Sequence, residues 1–229
     1  MSEQFKEQQY GVIFDVVKKH GVSKMGLMAN ESWNQDPKRT LFTLARYKFV
    51  AKMLEGCHHV LEVGCADAFG TRLVQQSVET VTAIDFDPLF IHDANARMNP
   101  AWPMTCFVHD MLSGPVPGMF DAVYCLDVLE HIQPTDETQF ISNMLASLAP
   151  HGVAVVGMPS LESQAYASPQ SKAGHVNCKS GGDFKALMQR QFHNVFLFSM
   201  NDETLHTGFY PMAHYLIALC CGKKSSANT

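Results

Sequence analysis

The sequence predicts an α/β fold, a mostly parallel sheet covered by helices on both faces. From His58 onward, short apolar runs rich in β-branched residues alternate with amphipathic stretches of helical length. Strands buried on both faces read as continuous apolar runs of this kind. The chain is also long enough, at 229 residues with 46% hydrophobic and 17% charged, to bury one sizeable core.

The elements follow in order. Gln9 to His20 has helical apolar spacing through Val12, Ile13, Val16 and Val17, with Gly21 as its stop. Gly26 to Lys38, holding Trp33 and Pro37, reads as a loop. Thr40 to Leu54 is a second helix with Leu41, Leu44, Phe49, Val50 and Leu54 on one face. HVLEVGC from His58 is the first strand, followed by a helix start at Gly70 to Gln76. Val81 to Phe86 is the second strand, Pro88 to Arg97 a helix, and Met104 to Met111 the third strand. Phe120 to Leu129 is the fourth. Glu137 to Leu148 is an amphipathic helix, broken by Pro150, His151 and Gly152 before a fifth strand ending at Pro159. Gly182 to Gln191 is helical, and NVFLFSM and YPMAHYLIALC are two closing strands. The organisation expected is a single domain over 1–229: helices in 1–56, the sheet core in 57–222 and a frayed tail in 223–229.

Composition narrows the partners. The net charge is −5 with no run of Lys and Arg, so nucleic acid is a poor expectation. The N-terminal stretch is polar, without the apolar centre of a secretory signal, and no apolar stretch reaches spanning length. Seven cysteines, an odd number without a C-x-x-C pair, fit a reducing cytoplasm with neither disulfide framework nor structural zinc. No membrane partner is expected, and a homodimer is left open.

Chemistry gathers at the strand ends. VLEVGCADAFGTRL, Val60 to Leu73, is a buried strand, a loop of small residues and a helix start. Gly64 permits a sharp turn, and Cys65, Ala66 and Ala68 keep backbone accessible to a ligand. Neither G-x-G-x-x-G nor Gly-Lys-Ser/Thr is present, so nothing here is specialised for pyrophosphate. Asp85 ends the second strand, where a carboxylate can accept both hydroxyls of a ribose. Asp87, followed by Pro88, suits a helix cap instead. Asp110 can accept an adenine amine while Met111 packs on the ring. Asp127, Glu130 and His131 follow the fourth strand.

In this order the segments resemble the class I S-adenosylmethionine-dependent methyltransferases over about Val60 to Ser160. LEVGCADA resembles the family's first motif, IDFD its acidic strand end, VHDM its adenine contact, and LDVLEHI with LASLAPHGVAVVGMPS its fourth and fifth strands. The departure is Ala66 and Ala68, where the family usually has glycine. The resemblance implies a Rossmann-like, seven-stranded sheet of order 3-2-1-4-5-7-6 with strand seven antiparallel, under N-terminal lid helices. It also implies S-adenosylmethionine as cofactor, held by Arg46, Glu62, Gly64, Cys65, Ala66, Asp85, Phe86, Asp110, Met111 and Leu126. Arg46 and Tyr47 are placed toward the methionine carboxylate, with Tyr47 also an acceptor contact; a surface role for Arg46 is the alternative.

The acceptor side is read from histidines. Methylating a hydroxyl requires a base. His131 is one candidate, with a structural or cofactor-side role as its alternative. His175 is the other; it lies in the polar stretch Ser160 to Asn177, with Asn177 as a further acceptor contact. Asp127, Glu130 and His131 would share a helical face, yet no convergent ligand set emerges, so metal independence is expected. The leading expectation is O-methylation of a small molecule such as a sugar, glycan precursor or other metabolite. N-methylation of a small amine, a nicotinamide-dependent oxidoreductase and a non-catalytic cofactor binder are the alternatives.

Overall fold

A computed structural model describes residues 6–225. Eight strands form one sheet: β1 (His59–Val63), β2 (Thr80–Asp85), β3 (Thr105–Val108), β4 (Phe120–Leu126), β5 (Leu148–Pro159), β6 (Phe192–Asn201), β7 (Thr204–His206) and β8 (Tyr215–Lys223). Their order is β3-β2-β1-β4-β5-β8-β6-β7. The first five run parallel, and β8 enters antiparallel between β5 and β6. The expected order is therefore present, with one correction: the connection between the closing strands contains β7, a three-residue edge strand hydrogen-bonded to β6.

Alternation along the central strands explains their apolar runs. On β4, Ala122, Tyr124 and Leu126 enter one core cluster while Val123 and Cys125 enter the other. One face is covered by α6 (Glu137–Ala146) and α8 (Gly181–Gln189), through Phe140, Met144, Phe184 and Met188. The opposite face takes Tyr47, Val50 and Ala51 from α3 (Pro37–Met53), Leu54 just after it, and Val74 from α4 (Thr71–Gln75). Successive side chains of a strand point to opposite faces, so a strand sandwiched this way has no polar side to spare.

Several boundaries move. Pro150 to Gly152 do not precede the fifth strand; they lie inside it, because β5 begins at Leu148, which pairs with Phe120. Gly26 to Lys38 is not a loop: it holds α2 (Leu27–Gln35) and the start of α3. The helix α5 (Pro88–Arg97) begins as expected, Asp87 accepting from the Leu89 N–H at 2.8 Å with Pro88 in the first turn. Likewise α1 (Gly11–His20) stops at Gly21, whose φ is +73°. No α1 residue is buried. The stretch after β5 is ordered as a 3-10 turn, Glu162–Tyr166, and α7 (Pro169–Gly174). Lys223 ends β8 and the Lys224 N–H donates to the Gln191 carbonyl at 2.8 Å, so neither belongs to a frayed tail; 226–229 lie outside the described residues. Among the described residues no helix is long and apolar enough to cross a membrane.

Candidate active site

The carboxyl ends of β1, β4 and β5 open into a cavity of about 390 Å³ roofed by α2 and α3. Its floor is the loop after β1. Gly64 has φ +77°, and a Cβ there would lie 2.1 Å from Val128 Cγ2, so no other residue fits. Ala66 and Ala68 have φ +45° and +54°. An L-residue in this left-handed region costs about 1 kcal/mol relative to glycine. The double substitution Ala66→Gly/Ala68→Gly is thus expected to stabilise the fold by about 2 kcal/mol, a rise in Tm of roughly 6 °C for a chain this size. Differential scanning calorimetry reads this directly, and an unchanged or lower Tm would show that the loop carries no such strain.

Asp85 supports the loop. One carboxylate oxygen accepts from the Ala66 N–H at 2.8 Å and the other from the Asp87 N–H at 2.9 Å. Each retains a lone pair for a ligand. Phe86 beside it is 72% exposed, a large apolar ring standing free at the strand end. Asp110 is exposed, and its carboxylate accepts from the Leu112 N–H. Met111 requires a correction: its side chain is buried in the main core, and the free apolar surface at these strand ends belongs to Phe86 and Val108. Asp67 joins floor to roof. Its carboxylate accepts from the Phe69 N–H at 3.0 Å and from the Ala29 N–H, in the first turn of α2, at 2.8 Å. Gly26 makes this approach possible, since a Cβ there would overlap the Asp67 side chain.

Glu62 lies beneath the loop, fully buried. Tyr47 and Tyr124 each donate a phenolic hydroxyl to it at 2.7 Å, and Thr71 donates at 2.5 Å. Burial pushes the Glu62 carboxyl above its usual range, while the three hydroxyls pull the other way. Two expectations change as a result. Glu62 is a structural anchor without free cofactor-facing oxygens, and the Tyr47 hydroxyl is committed to it; only the Tyr47 ring reaches the cavity wall.

Arg46 reaches the cavity and is not a surface residue. One guanidinium nitrogen donates to both Asp127 oxygens, at 2.8 and 2.7 Å, and the guanidinium lies 3.7 Å over the Tyr215 ring. Burial opposes its charge, but Asp127, Tyr215 and Glu130 outweigh that and raise its pKa. Arg46 Nε is buried without a partner. Asp127 itself has φ +57°, an unusual backbone that aims its side chain at α3.

Across the cavity stand His131 and His175, their rings 5.2 Å apart between centroids and nearly perpendicular. His131 Nδ1 is 2.9 Å from the Gly174 carbonyl. A carbonyl only accepts, so Nδ1 carries the proton and Nε2 is bare in the neutral ring. His175 Nδ1 is 2.8 Å from Gln164 Oε1, and the amide orientation is fixed because Gln164 Nε2 donates to the Ser160 carbonyl. His175 is therefore also the Nδ1–H tautomer when neutral, and burial together with the His131 ring favours that neutral form. Glu130 is 1% exposed, with Oε1 at 4.0 Å from His131 Nε2 and Oε2 buried without a partner. Burial and the neighbouring Asp127 hold its carboxyl well above the usual range.

The structure thus brings Arg46, Gly64, Cys65, Ala66, Leu126, His131 and His175 to one cavity, with Tyr47 contributing its ring. Asn177 is excluded from it. That side chain is buried, donating to Glu137 at 2.8 Å and accepting from Lys179 at 3.0 Å. Asp67 and Gln164 are not anticipated as site residues, and Glu130 is anticipated only as one of the polar groups after the fourth strand. A larger cavity of about 600 Å³ lies on the far side of Asp67 and Phe69, walled by α4, α5 and Trp102 with His20 at its edge; His131 and His175 do not line it, and Asp85, Phe86 and Asp110 line neither cavity.

Comparison with known proteins agrees with this geometry. A family model described as a methyltransferase domain matches residues 60–152. The ubiquinone biosynthesis O-methyltransferase of Xanthomonas euvesicatoria pv. vesicatoria is 30% identical over 139 residues, which cover 57% of this chain and 57% of that protein. A probable S-adenosylmethionine-dependent methyltransferase of Mycolicibacterium smegmatis is 31% identical over 102 residues, 44% of this chain and 37% of that protein. The matches therefore span 57% and 37% of the length of these two relatives. The crystal structure of N-methyltransferase NodS from Bradyrhizobium japonicum WM9, in complex with S-adenosyl-L-homocysteine, superposes with a TM-score of 0.63 at 19% identity, covering 83% of this chain and 90% of that one. A DhpI complex with the same compound gives 0.62 at 15% identity, over 86% and 92% of the two chains. These two likenesses are of fold. By its sheet order and these superpositions the chain has the fold of the class I methyltransferases, and residues 60–152 of it match a methyltransferase domain.

Proposed function

We propose that the chain transfers the methyl group of S-adenosylmethionine to an oxygen of a small-molecule acceptor. The observation that carries this reading is one cavity bounded by the β1 loop on one side and by His131, His175 and Glu130 on the other, under α2 and α3. In this reading the ribose hydroxyls bind the open lone pairs of Asp85, Phe86 flanks the adenine, and Asp110 meets its amine. The methionine end lies over Gly64 to Ala66, beside Leu126. Its carboxylate takes Arg46, whose unpartnered Nε offers a second donor beside the one now used by Asp127. The two N-terminal helices act as the lid of a single domain, latched by Asp67.

The sulfonium supplies a reactive methyl group, so positioning and water exclusion do most of the work. An oxygen acceptor is favoured because the ubiquinone biosynthesis relative named above is an O-methyltransferase and because two imidazoles with bare Nε2 atoms border the cavity. A hydroxyl-bearing metabolite, including a sugar or glycan precursor, fits the polar wall between Ser160 and His175. Calorimetry tests the cofactor: S-adenosylhomocysteine is expected to bind with a Kd in the micromolar range or tighter, a free energy of about −8 kcal/mol, and NAD not to bind. Transfer of labelled methyl across a panel of phenols, sugars and amines tests the acceptor. Transfer to amines alone would overturn the oxygen assignment.

A further inference from the structure

We propose that Glu130, His131 and His175 form a binding site for a divalent transition-metal cation. One ligand atom from each lies within 4.8 Å of the others. A cation bound about 2.1 Å from each requires ligand atoms about 3–4 Å apart, so small side-chain rotations close the set. Three features distinguish this from a chance cluster. Both imidazoles are held from behind through Nδ1, by the Gly174 carbonyl and the Gln164 amide oxygen, which leaves Nε2 as the free donor in each. Such carbonyl and amide partners are the outer supports that orient metal-bound histidines. Second, Glu130 Oε2 is buried with no hydrogen-bond partner, a costly state for a carboxyl oxygen that a bound cation would relieve. Third, the site is open on one side: His131 is half-exposed and the group borders the cavity, so coordination positions remain for acceptor oxygens.

The ligand chemistry selects the ion. Two imidazoles and one carboxylate suit zinc, iron, cobalt or manganese, whereas magnesium and calcium prefer oxygen donors. The inference about catalysis rests on the methyltransferase reading above; the cation site does not. An acceptor hydroxyl on the cation releases its proton to solvent water more readily. Its oxygen lone pair then forms the O–CH₃ bond as the S–CH₃ bond breaks, and the electron pair stays on sulfur, giving the neutral thioether. An acceptor with two adjacent oxygens would chelate the open positions, so vicinal diols and catechols are the class expected.

Titration of the metal-stripped full chain with Co²⁺, read by the visible d–d absorption of an imidazole-bound ion, tests the site. One equivalent is expected to saturate it. His131→Ala and His175→Ala should each weaken binding by at least tenfold, and Gln164→Leu, which removes only the rear support of His175, by about tenfold. Each variant is checked by thermal melting and by S-adenosylhomocysteine calorimetry. The proposal is overturned by the absence of saturable Co²⁺ uptake in the parent chain, or by equal uptake in all three variants. S-adenosylhomocysteine binding without cobalt binding would remove the cation site and leave the methyltransferase reading intact; cobalt binding without S-adenosylhomocysteine binding would do the reverse.

Discussion

Replacing Glu62 by alanine is expected to destabilise the protein by about 4 kcal/mol, a fall in Tm of roughly 10 °C. Glu62 is the hub of a closed polar network in which Tyr47, Thr71 and Tyr124 all donate to its two oxygens. All four residues are buried. Removing the acceptor strands three hydroxyls in an apolar interior, and an unsatisfied buried polar group costs about 1–3 kcal/mol. The loss also leaves a void between α3 and the sheet. Glu62→Gln should be milder, about 1–2 kcal/mol, because hydroxyls rotate and the amide still accepts through one oxygen. Thermal denaturation without ligand reads both. A Glu62→Ala melt within two or three degrees of the parent would mean that the network does not hold α3 down. Because α3 also carries Arg46, the same variant should loosen the roof of the cavity.

The sheet was legible because its strands are buried on both faces: VLEV and AVYCL have no solvent side, so their composition alone marks them. The start of α5 was legible for a local reason, the Asp87 cap followed by Pro88. What failed was decided by distant contacts. Helix α2 buries none of its residues, and its sequence offers no apolar stripe. Its first turn is held by Asp67, 38 residues away from Ala29 in the chain, and no local pattern announces that partner. The strand β7 has only three residues. Sequence places Tyr47 on the helix before the first strand, as a contact to the methionine carboxylate and the acceptor, and Asn177 after the fifth strand, as an acceptor contact. Position did not reveal that a buried carboxylate claims the first and Glu137 and Lys179 the second. The cluster of Glu130, His131 and His175 likewise needed the fold, since a 43-residue separation hides the Gly174 carbonyl behind His131. Ala66 and Ala68 were recognised as departures from glycine, but that both occupy left-handed backbone is a property of the folded loop.

Asp85→Ala should weaken S-adenosylhomocysteine binding by about 100-fold, close to 3 kcal/mol. The carboxylate now accepts one backbone N–H on each oxygen, from Ala66 and Asp87, and is almost fully enclosed. Hydrogen bonds to a charged group contribute about 1.5–3 kcal/mol each, so two ribose hydroxyls on the remaining lone pairs account for the magnitude. Part of the loss would arise indirectly, because the Ala66 N–H loses its anchor and the strained loop is freed. A neighbouring variant separates the two carboxylates. Asp87 uses its side chain to cap α5, so Asp87→Ala should cost about 1 kcal/mol of stability while leaving affinity within a few-fold of the parent. Calorimetry on both variants, with melting curves to confirm folding, decides the matter. A folded Asp85→Ala protein with undiminished affinity would remove the ribose from the tip of β2, and a comparable loss in Asp87→Ala would transfer it to the next acid along the chain.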